Sequence, residues 1–165
     1  MTKNPRFLLF CVLFVLGFSP PLEGKPSLPL PRMASLKASE VNLRVGPGRQ
    51  YPIIWTLLCL GLPVEITSEF DTWRQIRDPF GSKGWIHQSM LAGRKTLFVL
   101  KTIFLYSHPQ KNARKIARLG KGLILDLRDS LRSSDSQDWY SVKIKTYKGF
   151  VRAKDCWPSQ WTQGS

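Results

Sequence analysis

The chain has 165 residues, with 25 Lys and Arg against 11 Asp and Glu, a net charge of +14, three cysteines and two histidines. That length suits one ordinary domain or two small ones. The few histidines and cysteines follow no recognised ligand spacing, so neither a metal site nor a cofactor is expected. The charge is lopsided: residues 32–94 carry eight cations and five anions, +3, while residues 95–165 carry fourteen and five, +9. Such a field favours an acidic partner, whether an anionic envelope polymer, a lipid head group or a nucleic acid. Lys-rich faces also serve a plainer purpose, keeping a small β protein soluble.

Lys3 and Arg6 precede an unbroken apolar stretch over 7–18, and Pro20-Pro21 follow. A positive start and an apolar core of that length describe a secretory signal, too short for a comfortable membrane span. The expectation is a signal peptide over 1–24, with a cleavage site near Leu22-Glu23-Gly24, and an exported protein of the periplasm or cell envelope. An uncleaved anchor is the alternative. Export makes nucleic acid the least expected of the anions. Residues 25–33 read as a Pro-rich linker.

From there the signals are those of short strands. Val41, Leu43 and Val45 alternate with Asn42 and Arg44, the period of a half-buried strand. Gly46-Pro47-Gly48 breaks it, and an apolar run over 53–60 follows, bounded by Gly61 and Pro63. Further strands are expected over 64–70, 73–77 and 85–87, separated by Asp71-Thr72 and by the turn-rich 79–84, with a helical turn over 88–91. The second half offers strands over 97–100, 103–106, 116–119, 123–127, 139–145 and 149–152, with a polar loop over 131–138. Cys59 and Cys156 fall in different halves, and two separately buried thiols are expected in place of a bridge.

The two halves say nearly the same thing. Leu36-Lys37-Ala38 recurs as Leu100-Lys101-Thr102, Trp73-Arg74-Gln75-Ile76-Arg77 as Trp139-Tyr140-Ser141-Val142-Lys143, and Gly84-Trp85-Ile86 as Gly149-Phe150-Val151, at offsets of 64 to 66 residues. A repeat of this period marks a tandem array of small modules. Asn42-x-Arg44-x-Gly46-Pro47, Gly61, Trp73 opening a strand and Gly84-Trp85-Ile86 resemble the bacterial SH3 domain over most of 36–91. The second copy resembles it in eroded form, with Tyr106 in place of Arg44 and no Gly-Pro-Gly loop. The pair is similar to two-module SH3-like envelope proteins of alphaproteobacteria. The resemblance implies an all-β fold of two tandem five-stranded SH3-like barrels, over 34–92 and 97–157, behind a signal helix and before a tail over 158–165. It also implies targeting or cell-wall binding.

No catalytic residue stands out. Cys59 lies in an apolar run, Glu69 and Asp71 sit beside a turn as solvated surface, and about a dozen residues follow the last expected strand, too few for the NlpC-type peptidase that often accompanies such domains. The expectation is a non-catalytic binding or targeting protein. Strand parity places Trp73, Arg77, Trp85 and His87 on one outer face, and Trp139, Lys143, Lys145, Phe150 and Arg152 on its counterpart. Aromatics beside cations suit cell-wall peptide, glycan or an anionic envelope polymer. The alternative is a scaffold that buries this face against another envelope protein. Asn42, Arg44, Gly46 and Pro47 are expected to structure their loop.

Overall fold

The structure, a computed structural model, describes residues 28–132 and 138–160. The export segment, residues 25–27 of the linker, residues 133–137 of the polar loop and the tail beyond 160 lie outside the described residues. The first sheet holds β1 (Arg32–Leu36), β2 (Val41–Arg44), β3 (Ile53–Leu57), β4 (Pro63–Phe70), β5 (Trp73–Arg77), β6 (Lys83–His87) and β7 (Leu91–Ala92), with a 3-10 turn at Gln88–Met90. The second holds β8 (Thr96–Val99), β9 (Ile103–Tyr106), β10 (Lys115–Leu119), β11 (Ile124–Arg132), β12 (Asp138–Ile144), β13 (Tyr147–Arg152) and β14 (Cys156–Trp157), with a 3-10 turn at Ala153–Asp155.

Both sheets are antiparallel and share one strand order: β3-β2-β6-β5-β4-β1-β7 and β10-β9-β13-β12-β11-β8-β14. This corrects the expected fold class. In place of two closed five-stranded SH3-like barrels there are two seven-stranded sheets of linear order. Among the described residues neither joins its end strands by hydrogen bonds. The strands that sequence reading did not supply have a physical reason for being silent. β1 shows no alternation because it is covered on both faces: Ala34 and Leu36 enter a core, and Met33 and Ser35 are buried on the other side. β7 and β14 are two residues each, below the length at which a period can be read. β11 runs on to Arg132, where a polar loop was expected, because Ser130, Leu131 and Arg132 pair with Tyr140, Trp139 and Asp138.

Each sheet bends over its own core. Leu36, Val41, Leu43, Val64, Ile76 and Ile86 fill the first, and Leu97, Val99, Leu105, Leu125, Val142 and Val151 the second. The close approach of strands at both cores requires glycine. A Cβ on Gly84 would stand 2.6 Å from Leu43 Cγ and 2.8 Å from the Arg44 carbonyl, and one on Gly149 would stand 2.6 Å from the Tyr106 carbonyl.

β8 joins the two cores, and all four of its residues are buried. Leu97 and Val99 face the second core, while Phe98 belongs to the first and meets Phe80 edge to face, ring centroids 5.2 Å apart. The buried Thr96 hydroxyl donates to the Gly61 carbonyl at 2.7 Å. A strand buried on both faces by two different sheets makes them one packed body.

Candidate functional site

The register places the candidate residues. Trp73 pairs with His87, Gln75 with Trp85 and Arg77 with Lys83, so these six share one face, opposite the buried Ile76 and Ile86. Arg44 pairs with Trp85 and joins them. In the second sheet Trp139 pairs with Arg152, Ser141 with Phe150 and Lys143 with Lys148, and Phe150 pairs in turn with Tyr106. Equivalent faces therefore carry Trp73, Trp85 and His87 in one sheet and Trp139, Phe150 and Arg152 in the other.

The faces differ in what their side chains are free to do. In the first sheet Arg44 is spent on its loop: Nη1 donates to the carbonyls of Arg49 at 3.1 Å and Tyr51 at 2.7 Å. Gly46 lies under the Tyr51 ring, where a Cβ would come within 2.6 Å, and Pro47 follows, half-buried. Asn42 Oδ1 accepts from Thr56 Oγ1 at 3.0 Å, tying β2 to β3. His87 stands edge-on to Trp73 at 5.6 Å and caps the following 3-10 turn, its Nδ1 accepting from the Ser89 amide. Arg77 is held by Glu65 at 2.7 Å and lines a cleft between the sheets with Trp157 and Pro158.

In the second sheet the cations are less committed. The Arg152 guanidinium lies 5.7 Å from both the Tyr106 and Trp139 rings, which themselves meet edge to face at 5.4 Å. Trp139 is fully buried beneath this stack, not displayed on the surface as parity alone suggested. Its Nε1 and the Arg152 Nε are both buried donors without a hydrogen-bond partner. Lys115 sits 4.3 Å over the Phe104 ring. Lys143 and Phe150 are half-buried, Lys145 and Lys148 exposed. The face is a row of aromatics capped by cations.

Sequence reasoning missed a second feature. Glu69 is not solvated surface: its carboxylate is shared by Arg32 and by Arg74 Nε, the latter at 2.9 Å, with all three side chains less than one-fifth exposed. Arg32 and Arg74 line a cavity of about 490 Å³ with Met33, Ile66, Gln88 and Leu91. Arg74 also donates to the Asp71 and Trp73 carbonyls and to Gln88 Oε1. No local signal could have found this cluster, since Arg32 and Glu69 are 37 positions apart. Asp78 was missed too; buried, it accepts from the Phe80 and Ser82 amides at 2.9 and 2.8 Å and builds the turn before β6.

The thiols are free, Cys156 buried and Cys59 half-buried. Burial raises the Cys59 thiol, and burial together with the adjacent Asp155 carboxylate pushes Cys156 up to about 12. Both are therefore protonated at neutral pH, the unreactive form. Among the described residues no cluster of three metal-ligating side chains forms.

A family model described as Bacterial SH3 domain matches residues 37–93, about a third of the chain. No curated protein matches. Among solved structures the chain is similar to NlpC1 from Trichomonas vaginalis, at 12% identity and TM-score 0.35, covering 80% of this chain and 47% of that one. It is similar to NlpC2 from the same organism, at 12% and 0.36, covering 79% and 49%. An NlpC/P60 family protein from Bacillus cereus matches at 16% and 0.34, covering 75% and 55%. The chain spans about half the length of these solved structures.

These findings correct three expectations. The family match covers the first unit alone and both sheets are of linear order, so a tandem SH3-like envelope protein is not upheld. The expectation of a non-catalytic protein rested on Cys59 lying in an apolar run, on Glu69 and Asp71 beside a turn, and on the few residues after the last strand. It is withdrawn, since the chain spans only about half the length of the solved structures it is similar to. With it goes the description of the function as purely binding or targeting.

Proposed function

We propose that the protein acts at the cell envelope and engages an anionic wall polymer or the acidic groups of wall peptide through the outer face of its second sheet. The observation that carries this reading is the Arg152 guanidinium held against the Tyr106 and Trp139 rings, on the half of the chain that holds +9 of the charge. A guanidinium fixed over aromatic rings is pre-organised to meet a carboxylate or phosphate, because little rotamer freedom is lost on contact. Lys115, Lys143 and Lys148 extend the same sign along the strands and supply long-range attraction. The apolar N-terminal segment with Lys3 and Arg6 is the proposed route of export.

The test is co-sedimentation of the full chain with purified sacculi, read for bound protein and, in the same tubes, for soluble wall fragments, so that binding and cleavage are scored separately. Arg152→Gln and Lys143→Gln each weaken binding, the first more. Absence of sedimentation at low salt, or equal binding by wild type and both variants, overturns the reading.

A further inference from the structure

The first sheet ends on an edge that the second does not share. β3 pairs with β2 on one side and is the terminal strand of its sheet. Its side chains are displayed, not buried: Trp55 is 63% exposed and Ile53 48%, with Ile54 exposed beside them and Leu58 and Leu60 continuing the run. From Gln50 to Val64 there is no charged residue. The corresponding terminal strand, β10, reads Lys115-Ile116-Ala117-Arg118-Leu119, with Arg114 and Lys121 on either side. Cations on an edge strand block pairing with another chain. Two sheets of one strand order thus treat the same position in opposite ways. Among the described residues one edge is guarded and the other is open.

The geometry narrows what covers the open edge. Trp55 stands opposite Leu43, which is fully buried, so the core-facing side of the sheet runs out past its own cover. A terminal strand also presents a row of unpaired backbone groups, which lipid cannot satisfy. An acidic partner finds little here, since the nearby Arg44 is already committed to the Arg49 and Tyr51 carbonyls. The occupant must therefore be an uncharged, apolar strand, and this chain carries one in β3 itself. We propose that two copies associate through β3, edge to edge and antiparallel about a two-fold axis, so that the two first sheets become one. Such an interface is self-complementary: each Ile54 and Trp55 meets the same segment of the other copy, and no like charges are brought together. Five residues a side span about 17 Å of ladder. Each chain carries +14, most of it outside this unit, so the copies repel at long range and added salt strengthens their association.

Sedimentation velocity of the full chain over a concentration series, at low and moderate salt, tests this. Wild type shows a monomer–dimer equilibrium that tightens as salt rises, the opposite of binding to an anion. Ile54→Lys and Trp55→Lys, both at exposed positions, weaken it by roughly tenfold or more, because like charges are brought together across the axis. Ile116→Lys on β10 leaves it unchanged. Circular dichroism establishes that each variant is folded, and amide exchange reads slowed β3 amides in the dimer. A wild type that stays monomeric at about 100 μM in both salts overturns the proposal, as does association that survives both β3 variants.

Discussion

Phe98→Ala is the perturbation that most directly probes how the two sheets are joined. Phe98 lies on β8, a strand of the second sheet, yet its ring fills the first core and is 6% exposed. Burying an aromatic side chain removes about 150–250 Å² from water. At about 25 cal/mol per Å² that is ~4–6 kcal/mol, an upper bound because the denatured chain already covers part of this surface. Measured truncations of buried Phe cost ~3–5 kcal/mol, cavity included. Phe80, which meets the ring edge to face, is itself 68% exposed and can relax into the gap, so the expected loss is about 3 kcal/mol. Urea unfolding followed by circular dichroism measures the loss, and native-state amide exchange locates it. The variant loses protection in β4 and β5, strands of the sheet to which residue 98 does not belong. Leu97→Ala, one position away, faces the other core and loosens β11 and β12 first. A loss below about 1 kcal/mol, or lost protection confined to the second sheet, would mean that Phe98 does not tie the two cores together.

Gly84→Ala and Gly149→Ala each force a Cβ against a neighbouring strand at 2.6 Å, with backbone carbonyls among the obstacles, and each lowers stability by about 1–3 kcal/mol in thermal or urea unfolding. Gly93→Ala, where nothing lies within 4 Å of the added carbon, serves as the neutral comparison. Cys156, raised to about 12, stays inert to thiol reagents at pH 7–8 in the native protein, while the half-buried Cys59 reacts faster; mass spectrometry of the labelled sites reads the order. Because the folded thiol holds its proton more tightly than the unfolded one, its contribution to stability is complete below about pH 9 and is lost as pH climbs toward about 12, visible as a falling melting temperature over that window.

The all-β character was legible because most strands alternate or are bounded by Gly and Pro. Leu43, Ile76, Ile86, Val142 and Val151 point inward where period two put them. The number of strands was not legible, because β1 is covered on both faces and carries no period. Nor was the outcome for the apolar run over residues 53–60. A hydrophobic run does not say whether its strand lies inside a sheet or ends one, and here it ends one. The candidate face followed from parity, but parity gives direction without cover. Trp139 faces away from Tyr140 and is nonetheless buried, since Tyr106 and Arg152 from other strands close over it. The Arg32–Glu69–Arg74 cluster depends on β1 lying beside β4, a pairing the sequence did not declare.

The most direct test of the account is the salt dependence of binding to purified sacculi, compared between wild type and Lys143→Gln/Lys148→Gln. Contacts made by surface cations to a polyanion release counterions and weaken steeply with salt. Wild-type binding falls steeply between about 50 and 200 mM salt, and the double variant binds more weakly with a shallower salt slope. Wild-type binding that is indifferent to salt, or a variant that binds with the same affinity and the same slope, would contradict it.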